Sequence, residues 1–218
     1  MNGVQKKVRG RPRKGQTDRA ADRRALIDAA VTILNAGGAG ALTARAVAER
    51  AGTAVGSVYT QFDSLELLRL EASAVTMHRL RDALAAALAA CPAVGTADRL
   101  LCLADAYLAF AAANHPAWAA IFERRTVAAP DAVQADIAVL FGILEDVLRD
   151  GGRLAEAEIP VMARALWSSV HGMAYLADLG SLGPLGVDDV RPMIDALVRA
   201  AVRGFPGGEG PGAHQGGR

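Results

Sequence analysis

Apolar residues recur every three or four positions along most of the chain, and no segment alternates at period two long enough to make a strand. That pattern restricts the chain to helices packed on helices. The composition agrees: 52% of residues are hydrophobic and only 5% aromatic, an Ala- and Leu-rich supply that suits helices and offers little for strands. At 218 residues there is enough chain for one large domain or two small ones, each with a core. The expected fold class is all-α.

Thr17 or Asp18 can cap a first helix that runs to about Asn35, with Leu26, Ile27, Ala30, Ile33 and Leu34 on one face. The GGAG run at 37–40 stops it. Thr43 caps a short helix over 44–51, ended by Gly52, and another follows over about 54–61. Asp63 or Ser64 caps a long helix over 65–90, stopped by Cys91-Pro92. Further helices are expected over about 97–114, 116–125, 131–150, 156–179 and 188–203, separated by Pro- and Gly-containing turns. No internal repeat is present. The expected organisation is a disordered basic arm (1–16), a small helical domain (17–63), a larger helical domain (64–204) and a Gly/Pro-rich disordered tail (205–218).

The segment LTARAVAERAGTAVGSVYTQF, residues 42–62, places two short helices around Ala51-Gly52-Thr53. Two short helices about a Gly turn suit a helix-turn-helix, whose second helix enters the major groove. Ala48 and Ala51 are small enough for a close crossing, Val47 and Val58 can share a core, and Gly52 takes a positive φ cheaply. Gly56 would let the helix approach a phosphate or base edge, while Ser57, Tyr59, Thr60 and Gln61 offer hydrogen bonds.

With Ala29-Ala30, Thr43, Ala51-Gly52, Gly56, Tyr59 and Phe62, the stretch over about 20–70 resembles the TetR family of bacterial transcriptional regulators. The resemblance implies that Thr43 and Tyr59 contact phosphates and that Arg45 contacts the backbone or a base edge. It also implies that Val55, Gly56 and Ser57 face the major groove, with Gln61 standing where the family has His. Two positions depart from the family. Its usual Ser cap of the recognition helix is Ala54 here, so Thr53 is expected to cap instead. Its frequent Lys after the Phe is Leu65.

Charge is unevenly placed. Residues 1–25 carry nine Lys/Arg against Asp18 and Asp22, so the remainder is net acidic although the whole chain is +1. A basic end on an acidic body suits a polyanionic partner. Arg9-Gly10-Arg11-Pro12-Arg13-Lys14 resembles the AT-hook, a minor-groove motif built on Gly-Arg-Pro. Pro12 biases Arg11 to an extended backbone, and extended Arg side chains enter narrow A·T-rich grooves. The alternative is a polybasic tail that adds affinity without selecting sequence.

The body shows no enzyme signature. His78, His115, His171 and His214 are scattered, and neither a Gly-rich phosphate loop nor a nucleophile elbow is present. No metal or cofactor is implied. Cys91 and Cys102 make no disulfide framework or metal spacing and are expected as small, reduced, apolar residues. With no signal peptide and no apolar run long enough for a bilayer, a cytoplasmic protein that engages no membrane is expected.

Residues 165–177, ALWSSVHGMAYLA, resemble a TetR subgroup marked by Trp-x-x-x-His-Gly: Trp167, His171 and Gly172. Trp167 and His171 sit one turn apart on one helix face. Candidate liners of a pocket for a small apolar ligand are Met77, Leu80, Tyr107, Phe110, Trp118, Phe122, Phe141, Trp167, His171 and Tyr175. The family resemblance implies a homodimer built on the last two long helices. Val190, Met193, Ile194, Leu197, Val198 and Ala201 supply a broad apolar face for it. The expected function is a dimeric repressor that binds palindromic operator DNA and releases it on ligand binding. The alternative is a ligand-independent or architectural DNA binder, or an activator, that uses the arm.

Overall fold

The computed structural model describes residues 16–123 and 131–205, which hold nine α-helices and no strand. The helices are α1 (Gln16–Gly37), α2 (Ala44–Arg50), α3 (Val55–Gln61), α4 (Leu65–Ala90), α5 (Thr96–Ala113), α6 (His115–Phe122), α7 (Asp131–Asp150), α8 (Ile159–Asp178) and α9 (Arg191–Arg203). Two single 3-10 turns, Ala39–Ala41 and Gly183–Leu185, were not legible in the sequence. The arm and most of the C-terminal tail lie outside the described residues.

Local chemistry sets the helix ends. Gly38 (φ 69°) follows α1 and Gly52 (φ 66°) turns the chain between α2 and α3, both in a region that disfavours any residue with a Cβ. Thr43 Oγ1 accepts from Ala46 N at 3.1 Å and caps α2; Ser64 Oγ accepts from Leu67 N at 3.1 Å and caps α4. The expected cap from Thr53 does not form. Ala54 is the N-cap of α3 with no side-chain bond, and the Thr53 hydroxyl donates to Ser57 Oγ at 2.9 Å instead. The side chain-to-side chain contact takes the hydroxyl away from the helix amides.

Buried side chains form two clusters. The N-terminal one gathers Leu26, Ala30, Leu34, Val47, Val58 and Phe62 from α1 to α3 and the residue after it. It also takes Leu68 and Ala72 from α4, and Ala117 and Ala120 from α6. The second, larger cluster joins α4 to α9 through residues such as Leu84, Leu103, Trp118, Val147, Ala163 and Ile194. α4, about 39 Å long at 1.5 Å per residue, therefore has its first turns in one core and Leu80 and Leu84 in the other. α6 is shared as well: Ala117 and Ala120 face the N-terminal core while Trp118, Ala119 and Phe122 face the body.

Three further expectations are corrected. Cys91 and Cys102 are joined by a disulfide rather than standing as separate thiols. Cys91 ends α4 and Cys102 lies in α5, and the antiparallel hairpin brings their Cα atoms to 6.4 Å, within bridging distance. The apolar face of α9 is only in part free for a second copy: Val190, Ile194 and Val198 are buried in the chain's own core, because α9 packs on α5, while Met193 is 37% exposed. Phe205, expected in the tail, is buried in the body core, and its carbonyl accepts from Arg153 Nη2 at 3.1 Å. No helix among the described residues is long and apolar enough to cross a membrane.

Candidate nucleic-acid interface and aromatic cluster

α3 is anchored by one face and offers the other. Val58 and the following Phe62 are buried in the N-terminal core, while Val55 and Tyr59 are 43% and 59% exposed. Gly56 and Thr60 are exposed, and Ser57 and Gln61 are half-buried. A Cβ built on Gly56 would meet nothing within 4 Å, so that side of the helix opens to solvent. Thr60 Oγ1 donates back to the Gly56 carbonyl at 2.8 Å, which leaves its oxygen free to accept. At the start of α2, Thr43 and Arg45 are exposed. Thr43 Oγ1 accepts the cap bond, so its own hydrogen remains available to an acceptor such as a phosphate. Of the expected DNA-contacting groups, Arg9, Arg11, Arg13 and Lys14 lie outside the described residues.

A residue that sequence reasoning missed fixes this unit. Arg23 of α1 donates to the main-chain carbonyl of Gln61 and to Glu71 of α4, and its guanidinium lies 4.0 Å from the centroid of the Phe62 ring. It thus holds the last turn of α3 against both α1 and α4, with a cation at the negative end of the helix. Leu65 is half-buried and packs on the same core.

A second missed group lies where α4 meets α6. Arg69, nearly buried, donates through Nε and Nη2 to the two carboxylate oxygens of Glu66 at 2.9 and 2.6 Å. Its Nη1 donates to the carbonyl of Ala120 at 3.0 Å. Hydrogen bonding to Glu66 raises the guanidinium pKa, against the opposing effect of burial. The Glu66/Arg69 spacing on an apolar helix face was the available signal.

In the body the structure brings most of the expected aromatic liners together. Trp167 and His171, one turn apart on α8, stack at 5.0 Å between centroids and 9° between planes. Phe122 lies 4.1 Å from His171 and 5.9 Å from Trp167, Trp118 lies 5.5 Å from His171, and Phe141 lies 5.5 Å from Trp167. Tyr175 stacks on the outer side of His171 at 6.2 Å and is 43% exposed. Trp118 Nε1 donates to the Tyr107 hydroxyl at 3.0 Å, and that hydroxyl lies 2.6 Å from His171 Nδ1. Burial pushes the Tyr107 pKa up, partly offset by the Trp118 hydrogen bond, and pushes that of His171 down. The remaining expected liners stand apart from these ring contacts: Met77 and Leu80 are buried on α4, and Phe110 is buried on α5.

Beside the cluster is an apolar cavity of about 40 Å³. Tyr107 and Trp167 are the expected liners that border it; the rest of its wall is aliphatic, with Leu84, Leu103, Leu166 and Val198 from four different helices. Nothing in the sequence separates those leucines from ordinary core.

Two family models match the chain. "Bacterial regulatory proteins, tetR family" covers residues 26–72, and "Tetracyclin repressor-like, C-terminal domain" covers residues 100–201, about two thirds of the chain together. An uncharacterized HTH-type transcriptional regulator of Mycobacterium tuberculosis is 28% identical over 203 residues, covering 88% of each chain. A protein of unknown function from Rhodococcus sp. RHA1 has a similar structure. Its TM-score is 0.68 and identity 22%, covering 84% of this chain and 95% of that one. A TetR-family transcriptional regulator from Streptomyces coelicolor has a TM-score of 0.59 and 21% identity, covering 82% and 96%. At such identities the structural likenesses establish the all-helical fold alone.

Proposed function

The chain belongs to the TetR family of bacterial transcriptional regulators, not to an enzyme family, and on that premise we propose that it binds operator DNA through α3 as a ligand-responsive repressor. The observation that carries this reading is the two-sided build of α3. One side is locked by Val58, Phe62 and Arg23, while Val55, Gly56, Tyr59 and Thr60 face outward with nothing among the described residues to cover them. Thr43, Arg45 and Tyr59 then position the protein on phosphates, and Val55, Gly56, Ser57, Thr60 and Gln61 approach base edges or the adjoining backbone. The basic arm, with Arg9, Arg11, Arg13 and Lys14, enters the neighbouring minor groove.

Palindromic operators call for a two-fold protein. Exposed Val161, Ala165, Leu176 and Leu179 on and just after α8 offer an apolar row for a second copy, alongside the exposed Met193 of α9. The protein is expected to act in the cytoplasm, where the DNA is.

Ligand binding in the aromatic cluster would reach the DNA-binding unit by geometry. α6 carries Trp118 and Phe122 on one face and Ala117 and Ala120 on the other, so a shift of those rings displaces the N-terminal core. A ligand moves the equilibrium only by its preference for the released shape, and a coupling of about 1–3 kcal/mol is ordinary. The ligand-independent reading has one observation in its favour, the cavity of only about 40 Å³.

Genome-wide mapping of bound sites tests the DNA reading: recurrent palindromic sites upstream of genes are expected, and uniform coverage would exclude a regulator. Repeating operator binding with residues 1–15 deleted tests the arm. A shallower salt dependence is expected, because every phosphate that the arm no longer neutralises takes close to one unit off the log–log slope. A larger loss on A·T-rich than on G·C-rich flanks is the signature of minor-groove reading; an equal loss leaves only a polybasic tail.

A further inference from the structure

Trp118, Tyr107, His171 and Trp167 bring four hydrogen-bond donors together with acceptors for only two. An indole can only donate, so the Trp118 N–H uses the Tyr107 oxygen. The 2.6 Å contact between that hydroxyl and His171 Nδ1 then has one economical arrangement. Were Nδ1 the donor, the phenol hydrogen would be buried with nothing to accept it, so Tyr107 donates and Nδ1 accepts. A neutral imidazole so held carries its proton on Nε2, and the contact at Nδ1 is the hydrogen bond that the described residues give His171. The Trp167 N–H, sealed from solvent, has no partner among the described residues either. Two ring N–H groups, stacked at 5.0 Å on successive turns of α8, therefore stand without an acceptor there, and the Trp167 ring also borders the cavity.

The neighbouring charge decides what kind of acceptor fits. Burial keeps the imidazole neutral. The guanidinium near the cluster, Arg164, lies 4.9 Å from the Phe141 ring centroid and is engaged by Glu145 at 3.0 Å. A carboxylate placed here would be desolvated with no free cation among the described residues to meet it, whereas a carbonyl oxygen asks only for N–H donors.

We propose that Trp167 and His171 form the polar end of the ligand site, and that the site takes an uncharged, mainly apolar molecule bearing a carbonyl acceptor. This rests on the reading of the body as a ligand sensor. A cavity of about 40 Å³ holds only a few atoms, so such a molecule enters by parting the rings from the aliphatic wall.

The test uses the full-length protein and three probes of one shape: acetophenone, its alkene isostere α-methylstyrene, and benzoate. The same comparison is made with a linear set: 2-octanone, 2-methyl-1-octene and heptanoate. Both tryptophans of the chain are in the cluster, so intrinsic fluorescence reports this site alone. The ketone of at least one set should bind about tenfold more tightly than its alkene, the worth of one satisfied buried hydrogen bond, with the carboxylate weakest at pH 7.5. Trp167→Phe keeps a ring but removes the N–H; it should lower ketone affinity towards that of the alkene and leave alkene binding in place, with Trp118 as the remaining reporter. Equal binding of ketone and alkene overturns the carbonyl inference and leaves the apolar sensor standing. Preference for the carboxylate overturns it in favour of a charged pocket. If no probe of either shape binds, both the inference and the sensor reading fall.

Discussion

Arg69, in the first turns of α4, donates to the main-chain carbonyl of Ala120, near the end of α6, at 3.0 Å. The contact satisfies a carbonyl that the short helix cannot use, and puts a cation at its negative end. It also ties the helix that leaves the DNA-binding unit to the helix that carries Trp118 and Phe122. Arg69→Met keeps the length and loses the charge and all three donors. Because the group is nearly buried and bonded to Glu66, the variant should lose about 2–4 kcal/mol of stability in urea unfolding. Glu66→Gln in the same chain should recover part of that loss, since it removes the carboxylate that Arg69 serves. An unchanged unfolding midpoint would show that the contact contributes nothing.

Tyr59 projects from α3 with its ring largely in solvent, so removing its hydroxyl should not disturb the core. Tyr59→Phe is expected to weaken operator binding by about 1–2 kcal/mol, and by similar amounts on different base sequences, as a phosphate contact does. Equal affinity of the two proteins in titrations at one salt concentration would remove Tyr59 from the interface.

His171 makes stability depend on pH in a set direction. Burial lowers its folded pKa below the ordinary value of 6.5. Above 6.5 both folded and unfolded forms are neutral at this site, and it adds no slope. As the pH falls through 6.5 the unfolded chain takes up the proton first, and stability is lost until the folded pKa is passed. The contribution is at most about 1.4 kcal/mol per pH unit for one proton. His171→Asn, whose oxygen can still accept from Tyr107, should abolish that part of the acid slope. Parallel stability–pH curves for the two proteins would contradict the argument.

The disulfide between Cys91 and Cys102 closes a short loop between α4 and α5. Chain-entropy reasoning for a loop of that length gives about 2–3 kcal/mol. Reduction with excess dithiol should lower the unfolding midpoint accordingly, and a Cys91→Ala, Cys102→Ala double variant should match the reduced protein while being insensitive to dithiol. An equal midpoint before and after reduction would mean that the link adds no stability.

Much of this was legible locally. α4 begins and ends where Ser64 and Cys91-Pro92 say it should, and α3 falls within one residue of its expected start because Gly52 and Phe62 bracket it. Trp167, His171, Tyr107, Trp118 and Phe122 could be grouped in advance because large rings on amphipathic helices point inward. What escaped depends on how helices lie against one another. Cys91 and Cys102 meet only once α4 and α5 form a hairpin, and Val190, Ile194 and Val198 look the same whether they face their own chain or a second one. Thr53 is expected to accept from the helix amides and instead donates to Ser57 Oγ, a competition between two nearby hydrogen-bond partners that spacing does not resolve. The leucines around the cavity carry no signal at all.

The sharing of α6 has a thermodynamic consequence. Ala117 and Ala120 have essentially no exposed surface and lie in the N-terminal core, while Trp118, between them in sequence, lies in the other. An eight-residue helix cannot unravel on one side only. The two cores should therefore melt in a single calorimetric transition, with agreeing van't Hoff and calorimetric enthalpies, although the sequence divides into two recognisable units. Truncating the chain ahead of α6 should leave a DNA-binding fragment that no longer unfolds cooperatively, for it would lack the two alanines that close its floor.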